Sequence, residues 1–396
     1  MAASDSSERL FRDYSGRMLL ILTVGSIFAT FGRRVLSPLL PAIIADLGIT
    51  PFRAGIALSI GTASWAILQY PSGRMADQLS RRTVVVGSLS CVFLGAALLS
   101  VTPTYLVFVA GASLIGVSEG LYGPASRALL SDLFTARRGQ AFGLLNASID
   151  LAGLSAAAAA IGVLAIAGWQ LTFRVVAIAV LPVLAMLWYL SREPIVLSRF
   201  DVGVRETAGR LLSFSQIKWI ALAYILYMTT VQGVVAFIPT LLALEHGFSE
   251  TAASAIFGAM FATGLVTKPL AGRLSDRFPR LYVSGAGLLF ATVGLVALVL
   301  APTPVVALAA VLVWAAGGKM FPPVMQAYLM DTFDDDSKGG DFGALRSVFL
   351  IVASIGPAYV GFVAGRTTYT FAFGTLIVCV IASAAIVIGL GRTTPS

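Results

Sequence analysis

A chain of 396 residues that is 58% hydrophobic and 12% charged, with mean hydropathy +0.90, does not match a soluble globule of this size, since soluble domains carry roughly 25% charged residues. The net charge of +8 is no nucleic-acid footprint, because the basic residues alternate by loop. Two cysteines, Cys91 and Cys379, supply neither a disulfide framework nor a metal-ligand pattern.

A hydrocarbon core about 30 Å thick takes around 20 apolar residues per helix. Twelve such stretches are predicted in chain order, near 17–41, 53–72, 83–102, 104–129, 140–165, 170–190, 216–243, 252–271, 281–301, 304–330, 341–364 and 368–390. The segment up to Arg17 is polar, and no small-residue cleavage site ends a short apolar run, so span one reads as a retained helix. Thr50 and Ser249 stand where spans two and eight begin, as side-chain caps for free backbone N–H groups. In span five, the alanines 156–160 either let a neighbouring helix approach closely or are ordinary helix formers. The longest polar stretch follows span six. It divides the chain into a six-helix bundle over 1–190, a cytoplasmic linker over 191–215 and a second six-helix bundle over 216–396. Asp334-Asp335-Asp336 and Gly339-Gly340 mark a turn between spans ten and eleven.

The loops alternate in charge. Arg9, Arg12, Arg17, Arg74, Arg81, Arg82, Arg137, Arg138, the linker basics, Arg273, Arg277, Arg280, Lys338 and Arg392 all fall on one side. The other side's loops hold only Arg53 and Arg366, with Arg174 just inside span six. Cytoplasmic loops carry the Lys/Arg excess, so both termini are predicted inside a cell membrane.

A decapeptide occurs twice. Gly73-Arg74-Met75-Ala76-Asp77-Gln78-Leu79-Ser80-Arg81-Arg82 returns 199 residues later as Gly272-Arg273-Leu274-Ser275-Asp276-Arg277-Phe278-Pro279-Arg280-Leu281. The same offset pairs Gly48 with Gly247, Thr50 with Ser249, Pro124 with Pro323, Asp132 with Asp331 and Phe134 with Phe333. A membrane chain built from two parallel copies points to a substrate path between its halves.

The Gly-x-x-x-Asp-x-x-x-Arg core of this repeat, between spans two and three and again between eight and nine, resembles the signature loop of the major facilitator superfamily. Asp132 ahead of Arg137-Arg138-Gly139-Gln140-Ala141-Phe142-Gly143-Leu144 is similar to that family's junction of spans four and five. The resemblance implies an all-α membrane fold of two pseudo-symmetric six-helix bundles, each of inverted three-helix repeats, rocking about a central site. Spans one, four, seven and ten would line the cavity. It also implies a cytoplasmic gate at Gly73, Arg74, Asp77, Arg81 and Arg82 and at Gly272, Arg273, Asp276, Arg277 and Arg280. There Asp77 and Asp276 would cap helices or pair with arginines; the plainer alternative is solvated loop charge that holds topology. Two features depart from the family. Its span-four arginine, expected near Ala112 or Gly116, is absent, and residues 150–162 lack the Gly-Pro motif of drug/proton antiporters.

A charge at membrane depth costs roughly 2.5–3.5 kcal/mol on insertion scales and marks a functional candidate. Six qualify: Arg33 and Arg34 in span one, Glu119 in four, Asp150 in five, Lys319 in ten and Arg346 in eleven. Adjacent residues on a helix project about 100° apart, so Arg33 is placed facing the pathway and Arg34 seeking a carboxylate such as Asp150. Four cations against two acids leave an excess that an anionic substrate would offset. The run Arg33 to Pro41 resembles span one of organic-anion and organophosphate members, whose arginine binds the anionic group. The half-chain offset puts Gln232 where organophosphate members tend to have a second arginine, which favours a carboxylate held by one bidentate arginine.

Arg33, Glu119, Gln232 and Lys319 are thus the substrate candidates, and Arg34, Asp150 and Arg346 the coupling or buried ion-pair candidates. Buried salt bridges that only fix helix register are the alternative for the six charged residues among them. Glu119 and Asp150 are the candidates for reversible protonation. His246 reads as a solvated loop residue. Trp65, Tyr122, Trp314, Phe321 and Tyr328 either wall a cavity, or pack or face lipid as most aromatics of such a chain do.

The leading function is a secondary transporter of small organic anions, driven by a proton or sodium gradient and working as a monomer in the lipid bilayer. No ATP-binding Gly-x-x-x-x-Gly-Lys-Ser/Thr loop is present. No nucleophile–base or metal constellation suggests an enzyme, and no cofactor or nucleic-acid partner is implied. The alternatives are a proton-coupled exporter of drugs or metabolites and, from another class, a non-transporting membrane sensor.

Overall fold

The computed structural model of the chain describes residues 10–196, 215–332 and 338–393. Most of the predicted linker lies outside them, as do Phe333 and Asp334-Asp335-Asp336. The described residues form helices joined by short turns, with no strand among them. In chain order these are α1 (Asp13–Leu47), α2 (Pro51–Gln78), α3 (Arg81–Val101), α4 (Tyr105–Leu133), α5 (Arg138–Ile166), α6 (Gln170–Leu190) and α7 (Ser215–Leu244). There follow α8 (Glu250–Ser275), α9 (Arg280–Val299), α10 (Pro304–Thr332), α11 (Lys338–Ala353), α12 (Gly356–Ala364) and α13 (Tyr369–Thr393). Among the described residues, eleven stretches are both long and apolar enough to cross a bilayer. At 28 residues, α2 is long enough, but Ser59, Thr62, Ser64 and Gln69 dilute its hydropathy. The chain is an all-α integral membrane protein.

Helix starts follow the capping chemistry of the sequence. Thr50 Oγ1 accepts from Arg53 N at 3.3 Å and Ser249 Oγ from Ala252 N at 3.2 Å, and Ser80 Oγ accepts from Thr83 N at 3.1 Å. The repeat pair Gly48 and Gly247 closes α1 and α7 with φ of 57° and 68°, the left-handed region where a Cβ is strained. Span eleven is not one helix: it divides into α11 and α12. Proline lacks the N–H that would bind the carbonyl four residues back, so Pro357 cannot bond Ala353, the last residue of α11. A Cβ on the adjacent Gly356 would collide with the carbonyl oxygen of Thr229 on α7.

The chain divides into two compact units that do not follow chain order. One gathers residues 1–35, 60–156 and 163–202, and the other residues 36–59, 157–162 and 203–396. In the first, α2 and α4 cross at Gly61 and Gly116, while Trp169 packs edge-on against Phe108 and Phe173. In the second, the end of α1 and the start of α2, residues 36–59, join the C-terminal helices. Ser37 Oγ donates to the carbonyls of Val235 and of Ala236, the latter at 2.9 Å. Ala236 is the repeat mate of Ser37, so α1 and α7 meet at equivalent positions. Gly55 lies against Pro357, Gly361 against Pro51, and Phe52 edge-on to Phe362. Of the alanine run, Ala156, Ala157 and Ala160 are buried.

His246 departs from its sequence reading. Its Nδ1 lies 2.8 Å from the Ala301 carbonyl oxygen and its ring packs edge-on against Phe248, so it joins the turn after α7 to the end of α9. Its neighbour Glu245 caps α13: the carboxylate accepts from the backbone N–H of Tyr369 and of Thr370, and from Thr370 Oγ1 at 2.6 Å. A carboxylate at a helix N-terminus satisfies orphan donors and complements the helix dipole. Glu245→Ala is therefore expected to destabilise the protein by about 1 kcal/mol, read as a lower unfolding temperature in detergent.

Candidate functional site

In the first unit, the charges at membrane depth gather around α1. Arg33 donates to the Glu119 carboxylate through two edge groups, Nε to Oε2 and Nη2 to Oε1, the second at 3.1 Å. The side chains are only 10% and 11% exposed, so the pair is largely withdrawn from water. The Arg33 Cζ also lies 4.6 Å from the Trp65 ring centroid, within range of a cation–π contact. The guanidinium has five N–H donors in a planar fork. Glu119 takes the Nε/Nη2 edge, and Nη1 has no partner among the described residues. One edge of a buried cation is thus filled by the protein's own carboxylate and the other is open.

Helix packing fixes this geometry. A Cβ at Gly116 would fall on the carbonyl oxygen of Gly61, and one at Gly120 would lie 2.7 Å from that of Trp65. Glycines therefore bring the α2 and α4 backbones together, about one turn before Trp65 and Glu119 and again at their own level. The same contact accounts for the missing span-four arginine: α2 occupies the space that any side chain at position 116 would need. Ala112 faces the same helix, its carbonyl 2.9 Å from a Cβ built on Gly61.

Arg34 projects elsewhere, as the 100° step requires, and feels the charges of both Glu119 and Asp150. Asp150 is buried, at 6% exposure. Two residues before it, Ser148 Oγ bonds Ser26 Oγ at 2.8 Å and ties α5 to α1. Arg33 and Arg34 thus balance Glu119 and Asp150 in charge.

The remaining candidates lie in the second unit. Gln232 is buried on α7. Lys319 Nζ donates to the Phe261 carbonyl at 3.0 Å and sits 5.2 Å from that ring's centroid. Pro322 frees the carbonyl of Gly318, and Tyr227 OH supplies the missing bond at 2.5 Å. Arg346 lies near Tyr224, whose ring stacks on Phe349 at 4.2 Å. No Asp or Glu occurs within 216–244, 251–275, 280–330 or 342–390, so the spans of this half carry Lys319 and Arg346 without a carboxylate of their own.

The signature loops hold a pair of equivalent ion bridges. Arg81 Nε meets Asp132 Oδ2 at 2.7 Å, and their repeat mates Arg280 and Asp331 are also paired. Arg280 Nη1 reaches the Ala327 carbonyl as well, at 2.9 Å. Each bridge joins a signature loop to the C-terminal end of a helix, α4 in one case and α10 in the other. Arg82, whose repeat mate is Leu281, holds the segment after α6 in a way that has no counterpart among the described residues of the second half. Its Nη1 donates to Glu193 O at 2.7 Å and its backbone N–H to Glu193 Oε2 at 3.0 Å. Ser80 Oγ donates to Pro194 O at 2.9 Å and Val196 N to Thr83 Oγ1 at 3.1 Å. Arg74 lies 5.9 Å from the Tyr70 ring centroid. Asp276 is the C-cap residue of α8, and its carboxylate has no partner among the described residues. Arg273 and Arg277 are exposed, and Gly73 and Gly272 have open space around them. The Asp77 side chain lies outside what is described.

Sequence reasoning missed the Arg33–Glu119 edge pairing, the place of Trp65 in it and the linker dock. The glycine spacing on α4, at 116 and 120, was the one available sign of the α2 contact.

The profile of the Major Facilitator Superfamily matches residues 22–217 and 220–396. The chain is 25% identical over 344 residues to a Pseudomonas aeruginosa protein named Transcription regulatory protein OpdE, covering 85% of this chain and 84% of that one. It is 23% identical over 390 residues to the hexuronate transporter of Bacillus subtilis, covering 90% of each. Among solved structures, a bacterial homologue of the human lysosomal transporter Spinster, in an inward-facing and occupied conformation, superposes with TM-score 0.81 at 17% identity, covering 98% of each chain. The chain belongs to the Major Facilitator Superfamily, a family of membrane transporters rather than enzymes.

Proposed function

We propose that this protein is a secondary transporter of small organic anions, carboxylates first, coupled to protons through Glu119. The observation that carries the reading is the half-filled guanidinium of Arg33. With Glu119 ionised, the pair is neutral and offers an anion little attraction. With Glu119 protonated, the same site carries a full positive charge and an open bidentate edge. Proton and anion therefore favour each other's binding, and that coupling is reciprocal. The relative named for hexuronate, a carboxylate, supports the choice of substrate class.

The test is uptake and counterflow of labelled glucuronate and benzoate in proteoliposomes. Accumulation is expected under an acid-outside gradient and is expected to vanish with a protonophore. Glu119→Gln should keep counterflow and lose gradient-driven accumulation down to the protonophore level. A variant that still accumulates substrate removes Glu119 from coupling, and dependence on a sodium gradient replaces the proton. The relative named as a transcription regulator favours a second reading, a membrane sensor on a transporter fold. Anion binding by the wild type without any counterflow would select it.

A further inference from the structure

We propose that Trp65 makes the Arg33 site selective for flat, conjugated carboxylates, with aryl carboxylates as the substrate class. This rests on the anion reading above and adds the shape of the group attached to the carboxylate.

Glu119 grips the Nε/Nη2 edge and holds the guanidinium plane in one orientation. A second carboxylate on the open edge lies in that same plane, because fork-on-fork pairing is coplanar. The Trp65 ring sits against the guanidinium, 4.6 Å from Cζ to centroid. On this proposal the indole extends beneath the open edge, beside whatever continues the plane outward. An arene conjugated to its carboxylate keeps the plane and meets the indole as a stacked neighbour, whereas a saturated ring of the same size puckers out of it.

Two further features fit a recognition role. Trp65 is half-buried, and its indole N–H has no partner among the described residues, which leaves a donor available to a ring substituent. Its backbone is also pinned, since a Cβ on Gly120 would meet Trp65 O at 2.7 Å and Leu68 Cβ at 2.9 Å. A platform held this firmly loses little freedom when a ligand settles on it.

The experiment compares benzoate with cyclohexanecarboxylate by calorimetry on the purified full chain in detergent, over a falling pH series and with Glu119→Gln alongside, so that the site is also sampled without the competing carboxylate charge. The two acids share size and charge and differ in planarity. Wild type is expected to bind benzoate about fivefold more tightly, the scale of an aromatic pair beyond simple burial. Trp65→Leu should bind the two acids equally, and Trp65→Phe should keep most of the preference. Equal binding by wild type overturns the proposal, and so does a preference that survives in Trp65→Leu. A parallel drop for both acids in Trp65→Leu and Trp65→Phe also overturns it, since the tryptophan then only positions Arg33. Should neither acid bind wild type, with Arg33→Gln giving the same null result, the anion reading itself falls and takes this proposal with it.

Discussion

Arg33→Gln is expected to abolish anion binding and to lower the stability of the protein, and the two effects separate in a double variant. Two charge-assisted hydrogen bonds of about 1.5–3 kcal/mol each set the loss of anion affinity on the order of a hundredfold or more. The stability effect has a different source. Glu119, at 11% side-chain exposure, is left without its counter-charge, and breaking one side of a buried pair costs about 3–5 kcal/mol. Arg33→Gln/Glu119→Gln removes the orphaned charge, so its unfolding temperature should recover while anion binding stays lost. Arg33→Lys keeps the charge but not the planar fork and should bind with intermediate affinity. Calorimetric titration with benzoate and thermal unfolding in detergent check the set. Recovery of anion binding in the double variant would show that Arg33 serves only to neutralise Glu119.

Much of this arrangement was legible in the sequence because it is periodic or local. Spans are written in runs of apolar residues, the caps at Thr50 and Ser249 in one side chain each, and the duplicated plan in matches such as Gly48 with Gly247. The paired bridges Arg81–Asp132 and Arg280–Asp331 follow the same register. What could not be read depends on which faces of distant helices meet. Arg33 and Glu119 were both marked by their depth, as separate substrate contacts, but nothing in their spacing of 86 residues says that one fills an edge of the other. Arg82 was marked as a gate residue by position, and nothing in its neighbourhood along the chain says that it also bonds Glu193, 111 residues away. Trp65 stood among five aromatics with no pattern to single it out. The break after Ala353 was signalled by Gly356-Pro357, yet the hydropathy of the stretch ran through it unchanged.

Gly116→Ala is expected to be among the most damaging single-methyl additions in the first unit. Alanine is a better helix former than glycine by about 1 kcal/mol, so on propensity alone the change would stabilise α4. Packing opposes this, because the new Cβ would fall on the Gly61 carbonyl oxygen. Backbone cannot rotate away as a side chain can, so α2 and α4 must part. Overpacking of this kind costs about 1–3 kcal/mol, occasionally more, which outweighs the propensity gain. Gly143, on α5, has nothing within 4 Å of its would-be Cβ, so Gly143→Ala should instead raise stability slightly. Parting the two helices also moves Trp65 and Glu119 away from Arg33, so Gly116→Ala should weaken benzoate binding even at temperatures where it remains folded. Gly61→Ala, whose Cβ would meet Ala112 O at 2.9 Å, should show a milder form of both defects. Matching unfolding temperatures and benzoate affinities for Gly116→Ala and Gly143→Ala would mean that α2 and α4 do not touch here. The clamp that holds Trp65 and Glu119 about Arg33 would then have no support.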